Sequence, residues 1–62
     1  MKNIIKYFEY EHLPPHLQDV SAELCDLAKK IHKNENLKDL DEKAEGLRKL
    51  LEAKDCFVRS AL

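Results

Sequence analysis

Three cations in the last third of the chain, Arg48, Lys54 and Arg59, stand outside the apolar stripes around them and are the side chains best placed to hold an anion. Near the other end come Tyr7, Phe8, Tyr10, His12 and His16. Aromatic faces beside cations are what a site needs to stack a base and neutralise a phosphate. The plainer alternative is that Phe8 and Phe57 are core residues and that Arg59 pairs with Asp55 or Glu11, since charged helix faces are usually just solvated.

Other chemistries find less support. His12 and His16 have the four-residue spacing that lets two helical imidazoles share a metal, but Pro14 and Pro15 separate them and no third ligand stands nearby, so no metal is expected. His32, at a helix end, reads as a dipole partner. Ser21 and Ser60 lack a glycine-rich elbow, and Cys25 falls next to the expected buried seam. The carboxylate pairs Asp39 with Glu42 and Asp41 with Glu45 lie on an exposed face among lysines. A single glycine rules out a phosphate-cradling loop. No catalytic residue and no cofactor is assigned, and the expectation is that the chain is not an enzyme.

The elements that must position these residues are helical. From Pro15 to about Lys33, Leu17, Val20, Leu24, Leu27 and Ile31 follow the alternating three- and four-residue spacing of a heptad seam. Asp19 and Glu23 near the start and Lys29, Lys30, His32 and Lys33 near the end suit the helix dipole. Asn34-Glu35-Asn36 is a polar turn in which either asparagine can cap the next helix. Leu37, Leu40, Ala44, Leu47 and Leu51 then repeat the spacing, and the helix is expected to run to Ser60. Lys38 with Glu42, Glu45 with Lys49 and Asp55 with Arg59 are spaced to support its exposed face. With so short a link the two helices must run antiparallel. The predicted fold is therefore all-α, one domain over residues 1–62: an N-terminal arm or short helix (1–13) carrying Ile4, Ile5 and Phe8, helix one (14–33) and helix two (37–60).

Counting the register outward from a turn at Glu35 brings Lys54 near His16, and Arg59 near Glu11 and His12. The open end of the hairpin would then gather the aromatics and cations. The same count offsets Cys25 from Cys56 by roughly 16 Å, beyond disulfide reach, so both read as small apolar residues. Gly46 inside helix two costs roughly 1 kcal/mol relative to alanine, which suggests that something approaches the backbone there.

Size and charge narrow the classes further. At 62 residues folding hides only about 60% of the open chain's surface. Such a domain needs a staple: a disulfide, a metal or self-association. Helix two carries a second apolar stripe, Leu50, Ala53, Phe57 and Ala61, which one hairpin cannot cover, so an oligomer packed as a helical bundle is expected with that stripe as its interface. Charged residues make up 37% of the chain yet the formal net charge is -1, which argues against a DNA-backbone binder. The N-terminal residues lack the apolar run of a secretory signal and no segment has the ~20 apolar residues needed to span a bilayer, which places the expected protein in the cytosol.

The pattern Phe8-Glu9-Tyr10-Glu11-His12-Leu13-Pro14, with Val20-Ser21 and Leu27-Ala28, then Leu47-Arg48-Lys49-Leu50-Leu51-Glu52-Ala53-Lys54-Asp55 and Val58-Arg59, resembles small phage proteins of the helical-hairpin family of anti-CBASS and anti-Thoeris sponges. The resemblance implies a homo-oligomer, often a hexamer, in the cytoplasm of an infected bacterial host. It would sequester cyclic di- or trinucleotide messengers without cleaving them. It also implies a stacking aromatic at Tyr10 with Phe8 and His12 beside it, a phosphate-binding Arg59, and further phosphate contacts from Lys54 or Arg48. The glycine- and arginine-bearing entry segment of some members is absent, and their helix-one lysine has no secure match in Lys29 or Lys30. A plain protein-interaction module explains the stripes equally well and needs no ligand.

Overall fold

The computed structural model describes residues 4–62, so the first three residues of the expected arm lie outside the described residues. A short 3-10 helix, Ile4–Phe8, precedes two long helices, α1 (Pro15–Lys33) and α2 (Leu40–Ser60). No strand occurs among the described residues. The two long helices pack on one another and the 3-10 helix packs on both. None of these helices is long and apolar enough to cross a membrane.

α1 starts where proline chemistry puts it. Pro14 is extended (φ -56°, ψ 151°) and Pro15 takes the first helical position, where its missing N–H costs nothing. The carbonyl of Pro14 accepts from Leu17 N at 2.9 Å and from Gln18 N at 3.1 Å. Contrary to the charge order read from sequence, the first turn of α1 carries no acid; the basic last turn, with Lys30, His32 and Lys33, is as expected.

α2 begins three residues later than the leucine spacing suggests. Asp39, not an asparagine, is its cap: the Asp39 carboxylate accepts from Glu42 N at 3.1 Å. Asn34 Oδ1 instead accepts from Asn36 N at 2.9 Å and shapes the connection. Leu37 therefore lies outside the helix; the tight turn is at Glu35 and Asn36 as expected, closed by Leu37 N donating to the Asn34 carbonyl at 3.3 Å, but residues 37–39 lead on into α2 and move the midpoint of the connection to between Asn36 and Leu37. Lys43 Nζ ties the connection down by donating to the carbonyls of His32 (2.8 Å), in the last turn of α1, and of Asn34 (3.1 Å), its C-terminal cap.

The core is small and only partly the one the heptads describe: Leu17 and Leu47 are buried and Ile31 and Leu51 pack on its centre as expected, but its other members are not seam residues. Phe8, Cys25, Ala28 and Leu47 form its buried centre, with Ile4, Ile5, Tyr10, Ile31, Leu50 and Leu51 packed around it. On α1 the buried positions are Leu17, Ser21, Cys25 and Ala28, while Leu27, expected in the seam, is 45% exposed. At about 100° of rotation per residue, the buried face lies most of one residue step around from the predicted one. Small side chains at positions 21, 25 and 28 let Phe8 and Leu47 come in close, and interior packing rewards that contact. Cys25 is thus a core residue, whereas Cys56 is exposed; both thiols are free.

Candidate functional site

The segment between the 3-10 helix and α1, which carries Tyr10 and His12, is tied to α1 by one side chain. Gln18 Nε2 donates to the carbonyl of Leu13 at 2.8 Å and to that of Glu11 at 3.4 Å, and Leu13 N bonds the Tyr10 carbonyl at 3.0 Å. These bonds fix residues 10–13 against the first turns of α1. Tyr10 is half-buried there and packs on the core, and His12 is exposed.

Two of the six residues expected at a ligand are taken up by the fold. Phe8 is 0% exposed, and its ring plugs the centre of the core. It has no face left for a base. Burying a phenylalanine side chain is worth up to about 3 kcal/mol, a large share of what so small a chain can gather. Lys54 is only 9% exposed and its ammonium meets the Asp55 carboxylate at 2.9 Å. The helix pair expected between Asp55 and Arg59 gives way to this contact.

The remaining cations stand elsewhere. Arg48 pairs with Glu45 at 3.0 Å, and the same carboxylate takes the expected Lys49 at 3.6 Å. Lys38 lies before α2 begins, so its helical pairing with Glu42 has no helix to sit on. Arg59 is exposed, its guanidinium 3.3 Å from Cys56 Sγ, and no carboxylate pairs with it among the described residues. By helical rotation Arg48 and Arg59 share a face of α2, about 16 Å apart, with Lys54 roughly 120° around from Arg48. The three cations therefore do not converge. The cation–aromatic contact that does form is local, Lys6 Nζ lying 5.2 Å from the centre of the exposed Tyr7 ring. No group of three potential metal ligands occurs among the described residues.

The residues expected at an oligomer interface remain available. Phe57 is 54% exposed, and Leu50, Ala53 and Ala61 are half-buried. Leu50 and Ala53 line a groove of about 760 Å³ at the turn end of the hairpin, together with Ile31, Leu37 and Leu47. Gly46 lies along it, and a Cβ built there meets nothing within 4 Å. Lys38, Asp39, Glu42, Lys43 and Lys49 edge the groove. Leu40, at the start of α2, is 64% exposed. The sequence reading assigned two of the lining residues, Leu50 and Ala53, to an interface and expected a close approach at Gly46, but placed the ligand site at the opposite end of the molecule. The signal for this groove was Gly46, followed four and seven residues later by Leu50 and Ala53.

The chain matches no protein-family model, no curated protein and no solved structure.

Proposed function

We propose that this chain is a non-enzymatic binding module, a helical hairpin that acts by laying the groove along α2 against another amphipathic helix. One observation carries the reading: an open groove lined by Ile31, Leu37, Leu47, Leu50 and Ala53 beside a glycine with nothing over it. Helix-in-groove recognition uses apolar anchors at helical spacing set in such a channel with polar edges. The charged edge, with both signs interspersed, suits orientation rather than affinity. Leu50→Glu places a carboxylate at the groove centre. Affinity capture with the intact chain should retain a partner that the Leu50→Glu chain loses, with helix content by circular dichroism unchanged. Equal capture by both would refute the groove as the working surface.

The second reading, sequestration of a cyclic di- or trinucleotide by an oligomer, is supported by the sequence resemblance and by Arg59, exposed and without a carboxylate partner among the described residues. Tyr10 and His12 are the remaining stacking candidates, and copies would have to bring them to another copy's Arg59 or Arg48. Calorimetric titration with a panel of cyclic di- and trinucleotides tests it. Binding that disappears in Tyr10→Ala and in Arg59→Glu, with intact nucleotide recovered on heating, supports sequestration. Absence of heat across the panel removes this reading and leaves the first.

A further inference from the structure

The face of α2 that borders the groove is complementary to itself. Gly46, Leu50, Ala53 and Phe57 fall within an arc of about 60° around the helix, in the order hole, knob, hole, knob. Laid antiparallel on a copy of itself, the same register sets each Phe57 over the other copy's Gly46 and each Leu50 beside the other's Ala53. Large meets small at every step, about a two-fold axis between Leu51 and Glu52. We propose that the occupant of this groove is a second copy of this chain, docked α2 to α2 in that register, with Phe57 seated over Gly46 at both ends of the contact. The inference rests on the binding-module reading and names its partner.

Two observations favour a second copy over an unrelated helix. Glycine inside a helix costs about 1 kcal/mol against alanine, and among the described residues no atom comes within 4 Å of the place a Cβ on Gly46 would take. A knob from outside gives that space a use, and Phe57, a large ring left 54% exposed, has the right volume and sits at the matching distance along the same helix. The charges at the edge also agree. In this register Glu42 and Lys43 fall opposite Ala61 and Ser60, so neither end sets like charges together. Lys49 and Lys54 come level but on opposite flanks, and Lys54 is turned into its own fold.

The test is sedimentation equilibrium over a concentration series on four chains: the natural one, Gly46→Leu, Phe57→Ala, and the double variant that carries both substitutions. The natural chain should be a dimer at micromolar concentration. Gly46→Leu should keep its helix content and melt higher when dilute, because the space is open and leucine favours helix, yet dimerise at least tenfold more weakly. Phe57→Ala should also weaken the dimer at least tenfold. The double variant exchanges hole and knob, so a large side chain again faces a small one, and it should recover most of the loss. A natural chain that stays monomeric at the highest concentration overturns the inference while leaving the binding module standing if Leu50→Glu still abolishes capture of a different protein. A dimer indifferent to Gly46→Leu, or a double variant as weak as the sum of the singles, overturns the register.

Discussion

Ser21→Ala should stabilise the protein, although it deletes a polar group from the middle of a helix. Ser21 is 0% exposed and its Oγ finds no hydrogen-bond partner among the described residues. It shares the buried face of α1 with Leu17, Cys25 and Ala28. Leaving a hydroxyl dry and unpaired costs about 1–3 kcal/mol, and alanine occupies nearly the same volume, so no cavity follows. Helix propensity adds roughly 0.5 kcal/mol in the same direction. With the desolvation contribution at its lower end, the sum is a gain of about 1.5 kcal/mol. For a domain of this size each kcal/mol moves the melting temperature by about 4–8 °C, so a rise of roughly 6–12 °C is expected. Thermal melts followed by circular dichroism, with urea titration for the free energy, measure it. The size of the change decides the matter. A gain of about 0.5 kcal/mol or less would mean that only propensity had acted, and that the hydroxyl is satisfied after all, most simply by bonding back to a carbonyl one turn earlier.

Two further substitutions test the fold. Asp39→Ala removes the carboxylate that accepts from Glu42 N and should cost about 1 kcal/mol, with Asp39→Asn recovering most of it in the same melts; equal stability of all three chains would show that the cap contributes nothing. Lys54→Met keeps the buried stem and discards an ammonium whose partner, Asp55, is solvated enough to stand alone, so stability should hold or rise; a loss above about 2 kcal/mol would show the charge to be required.

Sequence periodicity was enough for the two-helix architecture and for the ends of α1, because a proline pair and a basic last turn are local signals with local causes. The face α1 buries was less legible, whereas on α2 the expected Leu47 and Leu51 do face the core. A heptad count favours the largest side chains, and in α1 it selected Val20, Leu24 and Leu27. Packing selected Ser21, Cys25 and Ala28, because a ring from outside the hairpin, Phe8, needed room beside Leu47. No count along one helix can anticipate a side chain arriving from another element. The start of α2 was readable but misread: Asp39-Leu40-Asp41-Glu42 has an aspartate followed three residues later by a glutamate, a capping signature, while the leucine at 37 extended the periodic run past it.

The candidate site moved along the molecule for a related reason. Counting the hairpin register gathers aromatics and cations at the open end, but it treats each side chain as free to serve a ligand. A chain of 62 residues has only two phenylalanines and two tyrosines, and its core claims two of the four. Phe8 goes to the centre, Tyr10 packs against it, and Lys54 follows its stem inward. What the core does not take is then set by what the arm can reach. A five-residue 3-10 helix packs on both long helices but is too short to cover all the apolar surface they offer, and Leu50, Ala53 and Phe57 are left along α2. The contact face and the ligand face thus compete for one small set of large side chains. In this chain the arm satisfies the core, and the surface left open is the apolar strip along α2.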